Sequence, residues 1–471
     1  MIPTDRELIY SDTECYPNWC CVVFKDGMGD HVKFTYTDKD KIDPKATIAY
    51  YINQCTLVGF NFLEYDVIIL RMMLNGKSCA EIHQASTEII QSTTASWEII
   101  RKKQLYSPEM DVIDIMNVLP GKAGLKLYSS RISFKRLQEL PFDPRKPVDE
   151  LQQSHLLDYC CNDTDMTEAL FLNIKGEIDL RISMSKQYDV DLRSKGGSQI
   201  AAVVLSKEYE RLTKDKPIVP DIAMDIAKVM SYETPKWIEF KTEPYQRLLK
   251  EIQDDTFRLN CDTGHLILGD SVKNRIFNLA DLSTQMGIGG LHSIDAGGYY
   301  EASDTHALID LDVASMYPSM ILNAGWFPRH LGKAFLTIYR EIVDKRLAAK
   351  HRGDKLIANS LKLVINSSFG LFSNKYSVLY DPNLLLNVTL SGQLSLLMLI
   401  ERLELHGWYA VSANTDGLVI NIERSEVPKM REVVKQYERD SGLIMEETWY
   451  SKYVRMNVNN YFTILEDRNG N

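Results

Sequence analysis

The run His306-Ala307-Leu308-Ile309-Asp310-Leu311-Asp312 is apolar on both faces until it meets its aspartates, and a strand of that kind belongs inside a sheet. It continues into Val313-Ala314-Ser315-Met316-Tyr317-Pro318-Ser319, a Pro-punctuated turn whose backbone N–H groups can face an anion. From residue 305 on, the texture of the chain changes. Two charged helices are predicted, over about 334 to 351 and 354 to 372, split by His351-Arg352-Gly353-Asp354. A long apolar helix over about 384 to 405 follows, then a hairpin around Asn414-Thr415-Asp416-Gly417.

The preceding part of the chain reads differently. Residues 6 to 70 alternate apolar strands with turns: Glu7 to Asp12, Cys20 to Phe24 closed by Lys25-Asp26-Gly27, and Thr56 to Asn61. Leu151 to Ile174 carries apolar residues at helical spacing. The stretch from about 175 to 285 is charged, helix-prone in parts and broken near Pro217 and Pro220. The 471 residues, 45% of them hydrophobic, suffice for two or three domains.

No run of eighteen apolar residues occurs, and Met1-Ile2-Pro3-Thr4-Asp5-Arg6-Glu7 has neither a basic nor an apolar leader region, so no membrane span and no secretory signal are expected. The eight cysteines (15, 20, 21, 55, 79, 160, 161, 261) form no C-x-x-C pair. They are expected as reduced, mostly buried thiols of a cytoplasmic protein. The formal net charge of -10 counts mildly against a polynucleotide substrate. Local basic clusters can still bind phosphates, and metal-binding carboxylates themselves make the total negative.

Asp12 and Glu14 stand two apart at a strand end, so both side chains leave one face and can share a divalent metal. A lone D-x-E is commonly a solvated strand end. Two further elements strengthen it: Asn61-Phe62-Leu63-Glu64-Tyr65-Asp66 after a second apolar strand, and Tyr159-Cys160-Cys161-Asn162-Asp163 on a helix, where Tyr159 and Asp163 share a face. Asp12, Glu14, Asp66 and Asp163 make a four-carboxylate set able to hold two metals about 4 Å apart, the arrangement that cleaves phosphodiesters.

In the later part, Lys362, Asn366, Phe369 and Gly370 fall on one helical stripe, and Arg346 and Lys350 are i, i+4 neighbours on the helix before. Three cations from two helices can converge on a triphosphate, with an aromatic and a glycine beside the flat base pair. The plainer alternative is a solvated basic face. Asp416, at a hairpin tip beside Asp312, completes an oxygen-only site suited to Mg²⁺, with Mn²⁺ as a possible substitute. Asp310 shares the face of Asp312, and pattern alone does not choose between them.

Two resemblances follow. D-x-E, N-x-x-x-Y-D and Y-x-x-x-D, in this order, resemble the three motifs of the proofreading 3′-5′ exonucleases attached to DNA polymerases, which implies that Tyr159 orients the attacking water. D-x-x-S-x-Y-P-S, K-x-x-x-N-S-x-[YF]-G and the Asn414-Thr415-Asp416 element resemble motifs A, B and C of family B DNA polymerases, particularly the compact phage type. The resemblance implies that Asp312, Asp416 and the Val313 carbonyl hold two Mg²⁺ ions, with two more in the exonuclease site. It implies that Ser315, Met316 and Tyr317 hold the triphosphate tail, with Tyr317 as steric gate against ribonucleotides. Arg346, Lys350 and Lys362 would pair with phosphates, and Asn366 and Phe369 would contact the nascent pair. Asn61, the glycine-loop residues Gly289 and Gly290, and Tyr461 would touch DNA.

The implied fold class is α/β and α+β, multidomain. An RNase H-like exonuclease occupies 1–180 and a connecting, mainly helical region 181–286. A palm over 287–333 and 379–471 is interrupted by short two-helix fingers at 334–378. The implied partners are primer-template DNA and dNTPs, with no membrane, in the host cytoplasm if phage-encoded. Asn414 and Gly417 replace parts of the usual D-T-D-S, Phe369 replaces a tyrosine, and Asn459 replaces the lysine of a K-x-Y element. The end at Asn469-Gly470-Asn471 reads as a hairpin turn without its second strand, so the chain is expected as the N-terminal part either of a split enzyme with a separate C-terminal thumb polypeptide or of a truncated one. The rival reading is an exonuclease-active chain whose palm only binds DNA or a partner subunit.

Overall fold

The computed structural model describes residues 6–466 apart from 41, 92–95, 106–107, 122, 274, 280–281 and 295. The Asn469-Gly470 turn lies outside the described residues. The chain divides into two compact units, Met1–Ile200 and Ala201–Asn471.

The first unit is built on a five-stranded sheet of β1 (Leu8–Tyr16), β2 (Trp19–Lys25), β3 (His31–Tyr36), β4 (Thr56–Gly59) and β5 (Val112–Asp114), in the order β3-β2-β1-β4-β5. Strands β1 to β3 are antiparallel, whereas β1–β4 and β4–β5 are parallel. Every residue of β2 is buried, the apolar run Trp19–Phe24 by its composition and Lys25 with its ammonium paired to Asp165 and Glu168. Helices α1 (Asp66–Leu74), α2 (Leu125–Arg131) and α3 (Glu150–Asn173) position the chemistry. A reciprocal pair, Asp149 with Gln152, caps the start of α3, and the helix buries Leu156, Tyr159, Cys160, Asp163 and Met166 against β1 and β2.

In the second unit, three short strands, β6 (Val229–Met230), β7 (Phe257–Leu259) and β8 (Leu266–Ile267), form a small sheet. A nine-stranded sheet contains β9 (Ile276–Leu279), β10 (Leu282–Gln285), β11 (His292–Ser293), β12 (Gly298–Glu301), β13 (His306–Val313), β14 (Ala410–Asn414), β15 (Gly417–Glu423), β16 (Met445–Asn457) and β17 (Asn460–Leu465). As its apolar run requires, β13 lies inside, between β15 and β16. Its register sets Asp312 opposite Gly417 on one side and Glu446 on the other, with Asp310 opposite Val419 and Thr448.

The helices of this unit include α4 (Met316–Ala324), α5 (Lys333–His351), α6 (Lys355–Ser368) and α7 (Pro382–Glu404). Asp354 caps α6, its carboxylate accepting from the Ile357 N–H. Helix α7 is long and apolar enough to cross a membrane, but 94% of its apolar window is buried within the protein, which makes it a core helix.

Residues 181–286, expected to be mainly helical, hold helices Gly197–Thr213 and Glu243–Asp254 and the end of a third, but also β6 to β10. These strands are two to four residues long, too short to display alternation. All eight cysteines are free thiols, and seven are buried.

Candidate active sites

In the first unit, the β1 pleat turns Asp12 and Glu14 to one face, and α3 brings Asp163 over them. One oxygen from each of the three lies within 4.8 Å of the others. Asp66, at the start of α1, is buried close by, and the Thr13 hydroxyl donates to its Oδ1 at 2.6 Å. Asp163 Oδ1 is buried and accepts no hydrogen bond. An unsatisfied buried carboxylate oxygen beside two others suits a divalent cation with hard oxygen ligands.

The electrostatics agree with that fit. Burial, followed by the charges of Asp163 and Asp66, pushes Glu14 up to about 8. Burial pushes Asp66 up to about 8, and Asp12 is raised by burial and by the other three carboxylates. Asp163 is raised to about 6 by burial, with Lys126 and Tyr159 opposing the rise.

The sequence reading did not single out Lys126. On α2, its Nζ donates to the Tyr159 hydroxyl at 2.7 Å and lies 5.1 Å from the centre of that ring. Burial and the neighbouring carboxylates raise the Tyr159 hydroxyl well above its ordinary range, so it stays protonated. Asn61 adopts a left-handed backbone (φ 58°), and its N–H donates to Asp114 Oδ1 at 3.0 Å. That buried carboxylate also accepts from the Leu63 N–H, fixing the loop that leads into α1.

In the second unit, a cleft of about 420 Å³ is lined by Asp312, Val313, Ser315, Met316, Tyr317, Arg346, Lys350, Lys362, Asn366, Phe369 and Asp416. The residues proposed from sequence to hold a nucleotide and its metals therefore converge. Ser315 is left-handed (φ 53°) at the start of α4, and Arg346 Nη1 donates to its hydroxyl at 3.0 Å. The Tyr317 and Phe369 rings stack with centroids 3.9 Å apart, and the Tyr317 hydroxyl donates to the Gly289 carbonyl at 2.8 Å. The exposed backbone of Gly289 thus fixes Tyr317 rather than standing apart from it. Gly290 (φ 158°) meets Thr415, whose N–H donates to the Leu291 carbonyl at 2.7 Å.

A second cavity of about 110 Å³ shares Asp312 and Asp416 and adds Asp310, Asn414, Tyr453 and Tyr461. Asp310 and Asp312, left open by pattern, differ in their surroundings. Asp312 lines both cavities, whereas Asp310 lines only the smaller and accepts a 2.6 Å hydrogen bond from the Tyr450 hydroxyl.

The protein packed round Asp312, with the charges of Asp310, Asp416 and Glu446, pushes its carboxyl up to about 7. Asp416 is raised as well, chiefly by burial. Glu446, also missed from sequence, lines the larger cleft because register sets it opposite Asp312. A β-carbon on residue 417 would occupy the space of Asp312 Oδ1, so glycine leaves room for this carboxylate. These oxygen groups fit divalent cations of the Mg²⁺ type.

No protein-family model matches this chain, and no curated protein matches it. Among solved structures, it is similar to the family B DNA polymerase of the hyperthermophilic archaeon Pyrobaculum calidifontis. That structure is 14% identical, with a TM-score of 0.55 over 99% of this chain and 59% of the archaeal one. This chain therefore spans about 59% of the length of the polymerase it matches. The two share a mixed α/β, multidomain fold.

Proposed function

We propose that this chain is a DNA-directed DNA polymerase of the family B kind, with a 3′-5′ exonuclease in the same polypeptide. The observation that carries the reading is one cleft lined at once by Asp312, Asp416, three cations and the stacked Tyr317–Phe369 pair. In this reading, 1–180 form the RNase H-like exonuclease, 181–286 connect, 287–333 and 379–471 form the palm, and 334–378 form the fingers. The substrates are primer-template DNA and dNTPs, and the setting is the cytoplasm.

Bound divalent cations, Mg²⁺ or Mn²⁺, would supply charge neutralisation at the reacting phosphate and its leaving oxygen. They would be held by Asp312, Asp416 and the Val313 carbonyl in one site, and by Asp12, Glu14, Asp66 and Asp163 in the other. Arg346, Lys350 and Lys362 pair with the triphosphate, and charge-assisted contacts of this kind orient it for in-line attack. Tyr317, held by Gly289 and Phe369, forms a fixed wall beside the sugar and excludes a 2′-hydroxyl. Asn366 and Phe369 border the nascent base pair, and Tyr461 the primer end.

In the exonuclease site, Tyr159 keeps its proton and, held by Lys126, orients water toward the terminal phosphodiester. Positioning and charge supply most of the catalysis in both sites.

The test uses the full chain on primer-template DNA with Mg²⁺. Asp312→Ala is expected to abolish primer extension and leave nucleotide release intact, whereas Asp12→Ala does the reverse. If Asp12→Ala removes every activity and the wild type never extends a primer, the second unit only binds, and the polymerase reading fails.

A further inference from the structure

Helix α3 carries Tyr159 and Asp163 on one face, and Cys160 follows Tyr159 on the side turned to β1. Cys160 is fully buried, and its Sγ lies 3.4 Å from both the main-chain oxygen and Oδ2 of Asp12. Cys160 belongs to a buried apolar cluster with Tyr16, Trp19, Cys21, Val23 and Leu156, in which the Cys21 thiol also lies beside its Sγ. The charged groups facing Asp12 are Glu14, Asp66 and Asp163, all of its own sign. Among the described residues, no other side chain donates a hydrogen bond to the Asp12 carboxylate. The unsatisfied Asp163 oxygen independently marks the spot these carboxylates surround as one that lacks a ligand.

We propose that Cys160 is a positioning residue of the carboxylate site, its thiol holding Asp12 in the orientation in which Asp12, Glu14 and Asp163 share one divalent cation. The proposal rests on reading this site as the metal centre of the exonuclease. A thiol suits the position because it packs as a small, polarizable group against Leu156 and the Cys21 thiol and still presents an S–H to Asp12. Groups that orient a metal ligand in this way set affinity, and their removal weakens metal binding by roughly 10- to 100-fold.

The experiment is a Mn²⁺ titration of the full chain followed by electron paramagnetic resonance of the free ion. Asp12→Ala defines which sites belong to the first unit. Cys160→Ala is expected to weaken that class by roughly 10-fold or more. Cys160→Ser, which keeps a donor toward Asp12, recovers most of the loss. Cys161→Ala removes an adjacent buried thiol that faces Lys33, and is expected to titrate as wild type.

Nucleotide release from single-stranded DNA by Cys160→Ala should fall at low Mn²⁺ and recover at high Mn²⁺. Equal titrations for wild type and Cys160→Ala overturn the positioning role while leaving the metal site standing, as does equal weakening in the Ala and Ser variants. A wild type with no Asp12-dependent Mn²⁺ sites overturns the metal reading and this proposal together.

Discussion

The Asp312 carboxylate lies over the Cα of Gly417, its cross-strand partner, so closely that a β-carbon there would stand 1.9 Å from Asp312 Oδ1. The usual D-T-D-S element has serine where this chain has Gly417, and Asp312 takes the space such a side chain needs. Gly417→Ser is therefore expected to displace Asp312 and lower primer extension by about 100-fold, the scale of a misplaced catalytic group. Exonuclease activity should stay at the wild-type rate. Extension kinetics of the Gly417→Ser variant at saturating dNTP check this, and an unchanged rate would show that Asp312 has another productive position.

Lys126 makes a comparable relationship in the first unit. Its ammonium is hydrogen-bonded to Tyr159 and holds down the proton affinity of Asp163. Lys126→Met should lower the rate of nucleotide release by roughly 10- to 100-fold, as loss of an orienting partner does. It should also move the acidic limb of the pH profile upward, because Asp163 then keeps its proton to higher pH. A slower enzyme with an unmoved limb would assign Lys126 to the Tyr159 contact alone.

The two lysine and glutamate partners show where sequence reasoning stops. Tyr159 and Asp163 declare themselves by a four-residue spacing on one helix, and Asp12 and Glu14 by a two-residue spacing on one strand. Arg346, Lys350 and Lys362 are visible for the same reason, since local periodicity fixes the face on which each lies. Lys126 belongs to a seven-residue helix, and its partner is 33 residues away. Glu446 reaches the cleft only because β16 pairs with β13 in one register. Neither relation has a local signature. Strand β3 has no local signature because its residues, exposed or half-buried except for Tyr36, follow no alternation, and β6 to β11 have none because none exceeds four residues. The different surroundings of Asp310 and Asp312 likewise depend on the neighbouring strands.

Without divalent cations, the carboxylate site opposes folding at alkaline pH. Glu14 and Asp66 are pushed up to about 8, and Asp12 is also raised, so the folded chain holds protons that the unfolded chain releases near pH 4. Between about pH 4 and 8 the folded state binds more protons, and stability therefore grows as pH falls through 8 toward 4. In EDTA, the transition of the first unit should have a higher Tm at pH 6 than at pH 8.5. Added Mn²⁺ should raise Tm more at pH 8.5, where the carboxylates are charged. Calorimetry at the two pH values decides, and a Tm in EDTA that rises with pH contradicts this account.

The parallel core of the first unit depends on a buried ion pair. Arg193 Nη2 donates to Asp111 Oδ1 at 2.5 Å, with side chains only 5% and 4% exposed, and the Thr56 hydroxyl donates to the other Asp111 oxygen. Asp111 precedes β5 and its carbonyl accepts from Leu57 in β4, so the pair ties the segment around 193 to the strand pair that leads into the Asn61 loop. Removing one member strands a buried charge, which costs more than the pair contributes. Asp111→Ala is expected to destabilise the first unit by about 3 kcal/mol, the lower end for a broken buried pair because Asp191 still pairs with Arg193. The Asp111→Ala/Arg193→Met double variant should recover part of that loss, since the buried guanidinium, left with the half-exposed Asp191, is then gone. Hydrogen exchange across β4 and β5 in the two variants measures the difference. Equal protection in both would place the cost in the Thr56 contact instead of the buried guanidinium.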